Sequence, residues 1–391
     1  QEDLDKENIG EIECLDFVTN SDGSEISPTA RPPMARGVVR SAGDIVAMVI
    51  AETREQALDA AELIEIEYDA MPVVVDTKSA LAPNAPQLYS EYPGNKVFHW
   101  QAGNHEQTME QFKTACIPED TIVELSVTNN RIAPNAMEMR QIIAMPHPDT
   151  KDEDELLIWC GTQGTVSLSR QISKALNLPR EKVHLRSGNV GGGFGYKIFL
   201  HPEQLCVSWA AQKLRKTVRW QQERSEGFVS DLQGRDIQSS AKALVSNTGK
   251  IKALQFKNQA NLGSWLSNFG IYVPTKSTCR TLTTLYDIAF VSFEVTGVVT
   301  NTPAVDAYRG AGRPEANYMM ERLMDKIAFD LKLDRIEVRK ANLIQPEQIP
   351  YKTVCSGTID SGDMPALFNV ALKNSNVAGF EERKKNSLEN G

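Results

Sequence analysis

The chain has 391 residues, more than twice the ~150-residue norm for one domain, so two or three packed units are expected. Hydrophobic residues make up 41% and charged residues 24%, ordinary globular usage that excludes a disordered, collagen-like or coiled-coil chain. The formal net charge is −9 and no Lys/Arg stripe is interleaved with aromatics, which excludes nucleic acid as the expected partner; no apolar run is long enough to span a bilayer.

The opening residues Gln1 to Asn8 are polar and acidic, unlike a secretory signal, and the sequence begins without Met, so a processed or cut start is expected. Asp44 to Ala51 is a short apolar run of β-formers and predicts a buried strand. Thr53 then offers an N-cap ahead of Arg54 and Glu55, with Ala57, Ala60, Ala61 and Ile64 at helical spacing. Ile64 to Tyr68 alternates as a second strand, and the unit closes near Asp76. From 81 to 118 the composition turns to Pro, Asn, Gly and Gln, which predicts an irregular linker.

Asp120 to Val127 and Leu156 to Trp159 predict strands, Val166 to Leu176 a helix, and Val183 to Arg186 a further strand. Ser239 to Val245 and Ile251 to Phe256 flank a turn at Asn247-Thr248-Gly249, a hairpin pattern. Met319, Leu323, Ile327 and Leu331 step by four through an amphipathic helix over 318–331. A helix follows Asp363, and the charged tail from Glu381 to Gly391 is expected to fray.

Three glycine-centred stretches interrupt these elements. Gly161-Thr162-Gln163-Gly164 leads from a strand into a helix, whose first N–H groups attract an anion while Gln163 can both donate and accept. Gly191 to Gly195 places four glycines around Phe194, letting backbone approach a ligand where a Cβ would forbid it. This second stretch has no Gly-Lys-Ser/Thr, and Tyr196 stands where a dinucleotide fingerprint needs its third glycine. The third, Ala307 to Glu315, runs into the 318–331 helix. Tight turns at sheet edges would explain any one of these stretches, though three together poorly. Six cysteines lie far apart without a Cys-x-x-Cys pair, and five histidines are equally scattered. Reduced thiols in a cytoplasmic protein are the expectation, with no protein-borne metal site.

Taken together, Thr162-Gln163-Gly164, the run Val190 to Gly195 and the long motif from Asn301 to Ala316 resemble the molybdenum-binding large subunit of the xanthine dehydrogenase and aldehyde oxidase family. Within it the likeness is nearest to carbon monoxide dehydrogenase-like subunits, and Asn130 to Arg140 and Asn261-Leu262-Gly263 support it. The resemblance implies an α+β fold: a small a/b hammerhead domain over 1–80, N-terminally truncated, the linker over 81–118, and over 119–391 the first half of a molybdopterin-binding domain. It implies a molybdopterin cofactor, with the cytosine dinucleotide as the expected form, whose own sulfurs hold the molybdenum. Gln163 matches a glutamine that hydrogen-bonds an oxygen ligand of the metal, and Gly192, Gly193, Phe194 and Gly195 match a loop against the cofactor. Arg309, with Gly310 after it, matches the arginine of the metal's surroundings. A structural salt bridge is the other use for Arg309, and a core aromatic the other use for Phe194.

The departures from the family pattern bear on substrate. Gly310 stands where copper-bearing carbon monoxide dehydrogenases have cysteine, and Ala311 where purine oxidisers have a clamping phenylalanine. Ile198 stands where those enzymes have an acidic residue. An aldehyde or N-heteroaromatic substrate is therefore implied, hydroxylated with water as oxygen donor, with electrons leaving through iron-sulfur and FAD subunits. The base would be a glutamate in a Gly-x-Gly-Glu segment, which the sequence lacks; Gly10-Glu11 is its nearest string and reads as a turn. No catalytic residue is therefore expected in the chain, which reads as a fragment or as half of a split subunit, inactive alone. A non-catalytic cofactor-binding or maturation protein of the same fold is the alternative.

Overall fold

The computed structural model describes residues 1–29, 31–115, 119–152 and 154–390. Cys116, the close of the expected 81–118 linker and the last tail residue, Gly391, lie outside the described residues. Among the described residues nine strands build the two main sheets, beside a two-stranded ribbon of Tyr351–Lys352 and Thr358–Ile359: β1 (Lys96–Gly103), β2 (Asp120–Asn129), β3 (Gln141–Pro146), β4 (Leu156–Cys160), β5 (Val183–Arg186), β6 (Val218–Gln221), β7 (Ile237–Ser246), β8 (Ile251–Gly263) and β9 (Val291–Val299). The larger sheet runs β1-β9-β8-β7-β2 and the smaller β5-β4-β3-β6. With the helices below, the architecture is α+β, as expected.

Each sheet carries its own core. In the larger one, Ala241, Ala243, Phe256, Phe293 and Val295 pack against Met319, Met320, Leu323, Met324 and Ile327 of the helix Arg313–Leu331. That helix starts five residues before the predicted Tyr318, because Pro314 in its first turn suits a helix start and Gly312 adopts φ +91 just before it. Burying a side chain the size of Phe256 or Ile327 contributes about 1.5–3 kcal/mol, so this stripe fixes the helix on the sheet. In the smaller sheet, Ile142, Leu156 and Ile158 pack against Leu168 and Ile172 of helix Thr165–Ala175 and Leu205 of helix Pro202–Leu214.

Two pairs of strands run parallel: β4 with β5, and β8 with β9; all other pairs in the two sheets are antiparallel. The carboxyl ends of β4 and β5 therefore lie on one edge, which delivers the loops 161–164 and 187–197 side by side. Likewise β8 and β9 deliver Asn261 and the loop after Val299 together. There the Asn261 carboxamide oxygen accepts from Thr300 Oγ1 at 2.8 Å and from Gly263 N at 2.9 Å.

The first eighty residues depart most from expectation. The helix Arg54–Glu62 forms behind Thr53, which accepts from Gln56 N at 3.2 Å in a capping box. Neither Asp44 to Ala51 nor Ile64 to Tyr68 is a strand: among the described residues neither joins a ladder. Ile45 and Met48 pack against the smaller core, whereas Ile64, Ile66 and Tyr68 are 40%, 44% and 63% exposed. Alternation supplies a strand's faces but not the neighbour that makes it a strand.

The stretch 81–118 corrects in the other direction. It holds edge strand β1, paired with β9, and the helix His105–Lys113. The helix buries only Thr108, so its polar sequence gives almost no periodic signal. The tail is a helix as well, Phe380–Glu389, without a buried residue. Met364–Asn374 is the helix expected after Asp363, whose side chain caps it by accepting from Ala366 N at 2.9 Å. Among the described residues, no helix is long and apolar enough to cross a membrane.

Candidate cofactor site

The three glycine-rich stretches meet at one place. Gln163, in the loop that follows β4, is exposed, and its Oε1 accepts from Gly195 N at 2.9 Å. Behind it, Gln163 N and Thr162 Oγ1 both donate to the carbonyl of Lys197, at 3.1 and 2.9 Å. A Cβ on Gly193 would lie 2.4 Å from Gln163 Cδ, so this position admits only glycine while Gln163 keeps its place. The second stretch then reaches the third: Arg309 N donates to the carbonyl of Phe194 at 3.0 Å. Gly195 has φ +102, and a Cβ there would stand 2.4 Å from the carbonyl oxygen of Ala307.

Phe194 is itself left-handed at φ 50, a conformation a bulky residue adopts only where its surroundings enforce it. Its ring is 37% exposed and is not a core aromatic, and the guanidinium carbon of Arg309 lies 6.0 Å from the ring centroid. Arg309 is exposed and, among the described residues, makes neither a salt bridge nor a side-chain hydrogen bond, which answers the structural alternative for that residue. Gly310, Ala311 and Gly312 follow with φ of 94, 45 and 91, and the Ala311 carbonyl is pinned by Ser277 Oγ at 2.5 Å. Gly192, at φ +101, sits against Ala136, and Ile198 lies below Gly164, its Cγ2 3.9 Å from where a Cβ would be.

Two supporting pairs had no counterpart among the predicted site residues. Lys197 is buried, and its Nζ donates to the Glu138 carbonyl at 2.7 Å and to Glu138 Oε2 at 2.8 Å. Glu138 Oε2 also accepts from Gly191 N at 2.9 Å, so one ion pair ties the glycine loop to the 130–140 segment. Burial works to raise the Glu138 carboxyl, but the Lys197 ammonium and the Gly191 N–H outweigh it and hold it below its ordinary value. The second pair is Arg235 with Glu315, 2.8 Å apart beneath the Arg309 loop. A lysine closing a glycine run was the available signal for the first; nothing local marked the second.

The surface so formed is rich in donors. Gln163 has spent its acceptor on Gly195 and keeps its amide N–H groups, and Arg309 keeps its whole fork. Among the described residues no group of three or more His, Cys, Asp or Glu could hold a metal ion. The donor set, the free Gln163 amide and the exposed Arg309 guanidinium, suits an oxygen-rich anionic group. A molybdopterin fits these residues.

Comparison with known proteins identifies the family. The family described as "Molybdopterin cofactor-binding domain" matches residues 88–343, and "Aldehyde oxidase and xanthine dehydrogenase, a/b hammerhead domain" matches residues 11–72. The carbon monoxide dehydrogenase large chain of Hydrogenophaga pseudoflava is 32% identical over 345 residues, covering 84% of this chain and 41% of that protein. The chain thus spans about two-fifths of such relatives. The nicotinate dehydrogenase large molybdopterin subunit of Eubacterium barkeri is 24% identical over 355 residues, covering 90% of this chain and 80% of that subunit. Among solved structures, quinoline 2-oxidoreductase from Pseudomonas putida 86 superposes with a TM-score of 0.86 at 26% identity, over 100% of this chain and 48% of that one. The chain belongs to the molybdopterin-binding large subunits of the xanthine dehydrogenase and aldehyde oxidase family.

Proposed function

We propose that this chain forms one wall of the cofactor site of a molybdenum hydroxylase that oxidises an aldehyde or an N-heteroaromatic compound with water as oxygen donor. The observation that carries the reading is the convergence of Gln163, the Gly193-Phe194-Gly195 turn and Arg309 on one donor-rich surface. When bound, the molybdopterin supplies the two-electron redox chemistry; its cytosine dinucleotide form is part of the proposal.

Each residue has a defined task. Gln163, its oxygen fixed by Gly195 N, turns its N–H groups toward an oxygen of the bound group. Arg309, backed by Phe194, offers a bidentate fork to anionic oxygens. Gly192, Gly193, Gly195 and Gly310 let the loops behind that surface pack this closely, because a Cβ on each would come within 2.4 to 3.2 Å of other protein atoms. Proton abstraction is assigned to a glutamate in a second cofactor-binding half, because the chain holds no Gly-x-Gly-Glu segment. Iron-sulfur and FAD subunits would carry the electrons away. Gly310 offers no thiolate for copper, and Ala311 and Ile198 supply neither an aromatic clamp nor a carboxylate for a purine, which favours the two substrate classes named. The nicotinate and quinoline relatives lend weight to the heteroaromatic. Five described cysteines, all free thiols, support a cytoplasmic setting.

The test is co-expression with a second-half polypeptide carrying Gly-x-Gly-Glu and with the two redox subunits. Molybdenum and released pterin near one per complex are expected, with turnover of quinoline-type or aldehyde substrates. Turnover by the 391-residue chain alone, loaded with cofactor, would overturn the assignment of the base.

A further inference from the structure

Below the Arg309 loop, the turn Gln233-Gly234-Arg235-Asp236 is bound to its surroundings by every one of its residues. Gln233 N donates to the Ala304 carbonyl at 2.9 Å, and the Gln233 carbonyl accepts from Asp306 N at 2.8 Å. Gly234 lies so close that a Cβ there would stand 2.3 Å from Tyr308 Cβ. Asp236 pairs with Arg131 at 2.8 Å and accepts from Asn261 Nδ2 at 3.0 Å.

Arg235 points into the loop itself. Its guanidinium donates to the Tyr308 carbonyl at 3.2 Å and to the Arg309 carbonyl at 2.8 Å, and its Cζ sits 5.0 Å from the Tyr308 ring centroid. Glu315 anchors it through Oε1 at 2.8 Å; Glu315 is buried, and its Oε2 has no hydrogen-bond partner among the described residues.

Arg235 and Asp236 have φ of 67 and 60, two successive non-glycine residues in the left-handed region. Such strain persists only where side chains over-determine it, and it gathers at functional sites. Arg309 is consequently held at both backbone ends, its N–H by Phe194 and its carbonyl by Arg235.

We propose that Arg235 is a positioning residue: its two-pronged grip on the Tyr308 and Arg309 carbonyls fixes the direction in which the Arg309 guanidinium leaves the loop. The inference rests on the reading of Arg309 as cofactor-facing. Arg235→Lys separates this role from a plain ion pair, because lysine keeps the charge opposite Glu315 and loses the planar fork.

The experiment has two arms. In the 391-residue chain, amide hydrogen exchange over 307–312 is followed by mass spectrometry for wild type, R235K and R235A, the last with and without added guanidinium ion. Exchange there is expected to quicken about tenfold in both variants, with exchange in β7 and β8 unchanged, and guanidinium ion is expected to restore protection to R235A. Unchanged exchange over 307–312 in R235K would overturn the proposal; should R235A fail to fold, R235K decides it. In the assembled holoenzyme, R235K is expected to lower kcat with KM unchanged. Faster exchange together with wild-type kcat would leave the tether standing and overturn the cofactor-facing reading of Arg309.

Discussion

Two glycines in one turn are predicted to fail in different ways when a methyl group is added. Gly195 is left-handed at φ +102, and its Cβ would meet main chain: the Ala307 carbonyl oxygen at 2.4 Å and its carbon at 3.0 Å. Neither atom can rotate away. The left-handed conformation costs an alanine about 1–2 kcal/mol, and forcing the extra carbon into packed backbone adds about 1–3 kcal/mol. Near the middle of that sum, about 3 kcal/mol, and with an unfolding entropy of about 2.1 cal/mol/K per residue, Gly195→Ala should lower Tm by about 4 °C.

Gly193 lies outside the left-handed region, and the three atoms nearest its Cβ would all belong to the Gln163 side chain: Cδ and Oε1 at 2.4 Å and Cγ at 2.6 Å. That amide can swing aside, at the loss of its bond to Gly195 N, which is about 1 kcal/mol. Gly193→Ala should therefore shift Tm by only about 1 °C. Both variants should nonetheless lose molybdenum and pterin from the assembled complex, the first through a broken turn and the second through a displaced Gln163. Differential scanning calorimetry with metal analysis reads both quantities. Equal destabilisation by the two substitutions, or a Gly193→Ala complex with full cofactor content, would refute the reasoning.

Three further outcomes are expected. Arg309→Lys should leave stability within about 0.5 kcal/mol, because the guanidinium is exposed and bonds no described residue, yet should lower cofactor content, measured by denaturant titration and metal analysis. Lys197→Met should destabilise the chain by about 3 kcal/mol in urea titration, because it strips the Glu138 carboxylate of its buried partner. Burial pushes the Asp306 carboxyl up to about 6, against the opposing pull of the Ala307 and Phe269 N–H groups. The folded chain thus holds this proton more tightly than the unfolded one, so the residue's contribution is present at low pH and lost as pH rises through 6. Relative to wild type, Asp306→Asn should gain about 2.4 kcal/mol between pH 4 and pH 7, read by urea titration at both.

The parts of the molecule legible in its sequence are those whose signal is local. Met319, Leu323 and Ile327 announce a helix because each buries on the same sheet, and Asn247 to Gly249 announces a hairpin because the turn needs those residues. The candidate site was legible through glycine: Gly193 and Gly195 stand where an added Cβ would come within 2.4 Å of another chain segment. What stayed hidden depends on partners distant in the chain. The strand β1 owes its state to β9, nearly two hundred residues on, while Ile64 to Tyr68 has a strand's alternation and no neighbour among the described residues. Arg235 could not be picked out, since its role is defined by carbonyls more than seventy positions away.

That unpaired run has a colloidal consequence. Ile64, Ile66 and Tyr68 offer β-forming apolar surface to any copy of the chain that drifts alongside, with Val73 and Val75 exposed beyond them. Glu65, Glu67 and Asp69 are interleaved with them, and two copies aligned edge to edge would set carboxylate against carboxylate. The acidic residues thus serve as gatekeepers whose reach is the Debye length, about 10 Å in 0.1 M salt and about 3 Å in 1 M. Concentrated salt, a common remedy for sticky proteins, disarms this guard and drives the chain toward self-association.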